Sequence, residues 1–87
     1  MEAWLLIILM SKSDLSFKTD MKPIFQQRCY SCHQSGYWDW TKYDNAFKYK
    51  DKIRWRVWET RTMPLGGNIT EDERKKIRDW VDQGAKP

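Results

Sequence analysis

Cys29, Cys32 and His33 are the residues of this chain best equipped for chemistry, and they stand together in Cys29-Tyr30-Ser31-Cys32-His33. The chain holds no other cysteine and no other histidine. C-x-x-C-H is the attachment signature of c-type haem. Two thiols three positions apart, on one turn of helix, can add to the two vinyl groups of one porphyrin. The histidine that follows is carried beneath the iron as its proximal ligand. Other chemistries fit the pentapeptide less well. Zinc takes four ligands, commonly as two separated pairs, and here three donors sit in one cluster. A thioredoxin-like redox pair calls for βαβ surroundings, and no alternating apolar strands flank this motif. A structural disulfide would close a very short ring and contribute little loop-closure entropy.

A six-coordinate haem needs a donor on its other face, and no second histidine is present to provide it. Of the four methionines, Met1 and Met10 lie in an apolar N-terminal stretch, and Met21 precedes Cys29 by eight residues on the same helix. Met63 alone lies far enough downstream to cross the ring and meet iron from the opposite side. Pro64 restricts Met63 to an extended backbone. The competing role for Met63 is that of an irregular gap-filler. A thioether opposite imidazole raises the reduction potential, which suits an electron carrier. The candidate cofactor-binding residues are therefore Cys29, Cys32, His33 and Met63, with His33 and Met63 on the metal and no catalytic residue.

The elements that must position these donors read as helices. Asp20 is a candidate N-cap for a helix through Ile24 and Phe25 into Cys29, with Pro23 tolerated in its first turn. Phe25 and Cys29, four apart, share a face. Residues 34–40 lack a helical period and read as a loop. Residues 44–61 favour helix with a break near Asp51. Ile53, Trp55 and Val57 alternate with Arg54 and Arg56 as a strand would, but no second strand with turn chemistry lies nearby to pair with them. The last helix opens on Thr70-Glu71-Asp72-Glu73, a capping box whose acids also suit the positive end of the helix dipole. Ile77, Trp80 and Val81 form its buried stripe, and Gly84 closes it as the residue after the cap.

With 87 residues, the chain is one domain, near the size at which a core alone barely suffices. A covalently held haem would serve as a staple. Six Trp, four Tyr and three Phe suit a chain that must wrap a flat macrocycle with few residues. The expected architecture is all-α, three to four short helices around one haem.

Charge points to partners. Between positions 41 and 61 stand seven Lys or Arg against three acids, a surplus equal to the whole protein's net charge of +4. Such a patch, with Lys48, Lys50, Lys52, Arg54 and Arg56 at its centre, would steer an acidic redox partner. Its plainer role is a solvated helix face. Nucleic acid is not expected, because no RNA- or DNA-binding motif accompanies the basic segment.

Over residues 20–86 the chain resembles class I monohaem cytochromes c. The resemblance is carried by Ile24-Phe25-Gln26-Gln27-Arg28-Cys29-Tyr30-Ser31-Cys32-His33, by Met63-Pro64, and by the closing helix from Glu71 to Gly84. It implies that Phe25 packs on an aromatic of the last helix, here Trp80. The stretch from Arg56 to Arg74 is similar, more narrowly, to the C-terminal cytochrome domain of membrane-anchored bacterial urate oxidases. Any urate chemistry could belong only to a partner, since this chain lacks the membrane spans and the catalytic region. The resemblance implies a one-electron carrier, not an enzyme, or alternatively a haem-bearing relay subunit of a larger oxidoreductase. A haem ligand sensor or small peroxidase would need an open distal site, which Met63 opposes.

Residues 3–10 are apolar without interruption, the length of a signal-peptide core and too short to span a bilayer. They carry no basic flank and no small-x-small cleavage site. A signal remnant and a short docking helix both fit, so membrane association could run through this segment or through a membrane-bound partner. Residues 1–19 thus form a signal-like or docking segment with a linker, and 20–87 the haem domain. Covalent haem attachment happens outside the cytoplasm in bacteria, so a periplasmic or otherwise extracytoplasmic location is expected.

Overall fold

A computed structural model describes residues 14–30, 32–33, 36 and 39–87; the apolar stretch 3–10 lies outside them. The described residues form helices and no strand. A π-helical turn, Phe17–Met21, runs straight into α1, Lys22–Arg28. After the motif come α2, Tyr43–Lys48, and α3, Lys50–Arg54, which continues as a second π-helical turn, Trp55–Glu59. A short 3₁₀ turn, Leu65–Gly67, precedes α4, Glu71–Asp82.

The first helical segment starts a turn earlier than Asp20. Ser16 is the cap, its hydroxyl accepting from the Thr19 N–H at 3.2 Å, while the Asp20 carboxylate reaches back to the Ser16 N–H at 2.9 Å. Asp20 therefore closes the capping arrangement from inside the turn and does not begin it. This earlier start carries Phe17 into the core beside Met21, Ile24 and Phe25. The middle segment is helical, as its lack of a pairing strand required. It breaks at Tyr49, and Trp55, the middle member of the strand-like alternation, is 52% exposed while Ile53 and Val57 are buried.

The last helix forms as its sequence demands. Thr70 Oγ1 accepts from the Glu73 N–H at 3.1 Å and the Glu73 carboxylate accepts from the Thr70 N–H at 3.0 Å. At the other end Gly84, at φ 105°, turns the chain. Its N–H meets the Val81 carbonyl at 3.1 Å and the Ala85 N–H meets that of Trp80 at 2.8 Å, the paired bonds of a Schellman ending. Ile77, Trp80 and Val81 are buried as their spacing implies, and Arg74 is buried with them. Phe25 meets Trp80 edge-on, ring centres 6.2 Å apart, and Phe17 stands 6.1 Å from each. The core thus lies where the first and last helical segments cross.

Candidate functional site

The C-x-x-C-H segment begins where α1 ends. Cys29 is the helix cap, and its carbonyl accepts from the N–H groups of Cys32 and His33 at 3.1 and 3.0 Å. The two thiols therefore sit on a hydrogen-bonded turn just past the helix, not within it. Cys29 is half-buried and Cys32 exposed, and their sulfurs are not joined in a disulfide. Burial, with Cys32 close by, pushes the Cys29 thiol up to about 11. Burial also lowers the His33 pKa from its ordinary value, favouring the neutral imidazole that can bind a metal. The His33 ring packs on Trp40 at 5.4 Å, and Trp40 on Tyr49 at 5.2 Å.

All four predicted donors, Cys29, Cys32, His33 and Met63, line one cavity of about 610 Å³. That is inside the range of about 300–1,000 Å³ common to sites for small molecules and cofactors. Met21 is fully buried in the core and is not among the cavity-lining residues, so of the two described methionines Met63 is the one on the cavity wall. Ile53, Val57, Pro64 and Leu65 give the wall its apolar part. Arg28, Lys52 and Arg56 bring positive charge, and no carboxylate lines it among the described residues. A cavity with partly apolar walls and three cations can take an apolar group that carries anionic substituents. Among the described residues no three His, Cys, Asp or Glu side chains are grouped to hold a metal ion.

The wall contributed by the middle helix could have been read from sequence. Tyr49, Lys52, Ile53, Arg56 and Val57 recur at three- and four-residue intervals, the stripe of one helix face, and all line the cavity. Loop 62–68 is held at two levels. The Met63 N–H donates to the Arg56 carbonyl at 3.3 Å, and the Met63–Pro64 peptide is cis. Arg28, the neighbour of Cys29, pairs with Glu73 at 3.0 Å and donates to Asn68 at 3.4 Å.

The basic segment is less uniform than its sequence suggests. Arg54 is spent on Asp82, at 2.8 and 3.3 Å, and on Glu59 at 3.0 Å. Lys50 lies over the Phe47 ring, 4.1 Å from its centre. Lys52 and Arg56 are the members of the patch that face the cavity. No described helix is long and apolar enough to cross a membrane. Comparison with protein families, with curated proteins and with solved structures finds no match.

Proposed function

We propose that this protein is a one-electron carrier, a monohaem c-type cytochrome in which Cys29 and Cys32 hold one haem by thioethers and His33 and Met63 are its axial ligands. One observation carries the reading: two thiols, an imidazole and a thioether, from segments thirty residues apart, line a single cavity. A bound haem would supply reversible one-electron chemistry at iron. The chain's residues do the rest. His33 offers a neutral imidazole whose ring rests on Trp40. Met63 offers a neutral thioether, a ligand that favours the reduced metal and raises the potential. Ile53 and Val57, both buried, would limit water on their side of the centre, which lowers the local dielectric and tunes the potential further. Lys52 and Arg56 suit the anionic edge of the group and the approach of an acidic redox partner. The work would be done outside the cytoplasm, where the thioethers are made.

The test is direct. Intact mass after acid-acetone extraction should exceed the chain by one haem, and the reduced protein should show the sharp visible bands of a low-spin c-type centre. The oxidised protein should show the weak far-red sulfur-to-iron band, absent from Met63→Ala. Complete loss of haem on extraction would overturn the covalent reading. A Met63→Ala spectrum identical to the parent's would remove Met63 from the metal.

A further inference from the structure

We infer that Arg74 is the positioning residue for Met63, holding the backbone that carries the thioether. The inference rests on the reading of Met63 as an axial ligand. Arg74 is only 7% exposed, and arginine is almost never that buried without a partner. Its partners are two backbone carbonyls. Nη1 donates to Val57 O at 2.6 Å and to Met63 O at 3.0 Å. Val57 lies in the π-helical turn Trp55–Glu59, where the chain runs out of helix and carbonyls lack partners within it. Met63 lies in the irregular segment that follows. A single guanidinium nitrogen thus fixes the separation between the end of the middle helix and Met63.

Both backbone polar groups of Met63 are consequently held, its N–H by Arg56 O and its C=O by Arg74. A thioether is an uncharged ligand on a side chain with three rotatable bonds, so its place depends on the backbone beneath it. Outside this contact a second brace runs from loop to helix. Arg61, at φ 57°, pairs with Glu71 at 2.6 and 2.9 Å, and Arg61 and Arg78 lie on the Trp58 ring, 4.6 and 4.4 Å from its centre. The Arg61–Glu71 pair of that brace is exposed, where ion pairs contribute little. Arg74 is the buried contact, and its bonds are charge-assisted.

Competition by added imidazole tests the role in the oxidised holoprotein, because imidazole gains access to iron only as Met63 lets go. Arg74→Met, which removes every donor, should weaken the far-red band and tighten imidazole binding by about tenfold or more, the effect of losing one charge-assisted hydrogen bond. Arg74→Lys, whose ammonium sits on a shorter side chain and reaches the two carbonyls less well, should fall between it and the parent. Ile77→Val removes buried volume from the same helix without removing any hydrogen bond to the loop. It should lower stability and leave imidazole affinity where it was. If Arg74→Met does not accumulate as folded holoprotein, the decision rests on Arg74→Lys. Imidazole affinity unchanged in the Arg74 variants, or raised equally by Ile77→Val, overturns the inference. Failure of the underlying reading looks different: the parent itself would lack the far-red band and Met63→Ala would bind imidazole as the parent does.

Discussion

Replacing Trp80 probes the crossing of the first and last helical segments. Trp80 is fully buried and stands against Phe17 and Phe25. Its Nε1 donates to the Lys86 carbonyl at 2.9 Å, and the same carbonyl accepts from the Phe17 N–H at 2.9 Å. One oxygen therefore ties the start of the fold, its last helix and its C-terminus. Trp80→Phe keeps an aromatic ring but loses the donor and part of the volume. The missing hydrogen bond costs about 0.5–1.5 kcal/mol. Unfilled space adds about 1 kcal/mol for each ~40 Å³ left open, at ~24 cal/mol per Å³. With about 40 Å³ left open the sum is about 1.5–2.5 kcal/mol, against a total stability of about 5–15 kcal/mol for a domain, so the variant should fold yet unfold early. Phe25→Leu removes the edge-on ring contact, about 0.5–1.5 kcal/mol beyond area burial. Trp80→Leu removes the same contact, so the double variant Phe25→Leu/Trp80→Leu loses it once and should cost less than those two singles together, by at least ~0.5 kcal/mol. Urea unfolding of the holoprotein, followed by far-ultraviolet circular dichroism, closes the cycle. Additivity within about 0.3–0.5 kcal/mol would refute the ring contact. A Trp80→Phe cost within the ~0.5 kcal/mol typical of surface changes would refute the burial and the Lys86 bond together.

Two further outcomes are expected. Burial pushes the Glu73 carboxyl up, but the Thr70 N–H and Arg28 outweigh it and hold the group below its ordinary 4.5. The unfolded chain then takes up this proton first, so the stabilisation is complete above pH ~4.5 and is lost as pH falls through the depressed folded value. Urea midpoints measured across that acid range should fall less steeply in Glu73→Gln than in the parent, and parallel slopes would count against the Arg28 and Thr70 contacts. Lys52 and Arg56 should steer anionic partners: oxidation of the reduced protein by ferricyanide should slow as salt shortens the screening length below about 8–10 Å. Lys52→Glu with Arg56→Glu should abolish that dependence, and a rate indifferent to salt and to both reversals would assign the patch to solvation alone.

What was legible in the sequence was local. The capping box at Thr70, the glycine ending at Gly84 and the stripe of Ile77, Trp80 and Val81 each depend on a few neighbouring residues, and each forms as read. Ser16 and Phe17 escaped because a cap that reaches back from Asp20 looks, in one dimension, like a cap at Asp20. Arg54 read as a steering charge because its partner Asp82 is 28 residues away. The strand-like alternation around Trp55 hid a helical stripe whose inner members are Ile53 and Val57. Arg74 gave no signal at all: its partners are carbonyls 11 and 17 residues distant, and carbonyls have no identity in a sequence.

The first turn of α4 acquires a role that its capping box alone does not suggest. Glu73 and Arg74 are adjacent, yet they reach to different cavity-lining segments. Glu73, already engaged with the Thr70 N–H, also takes the guanidinium of Arg28, the residue before Cys29. Arg74 takes the carbonyl of Met63. The segment bearing the thiols and imidazole and the segment bearing the thioether are thus both referred to one turn of helix, itself fixed by its cap. Fraying of that turn would loosen both walls together, so the cap helps to determine the geometry of the candidate site as well as the stability of the helix.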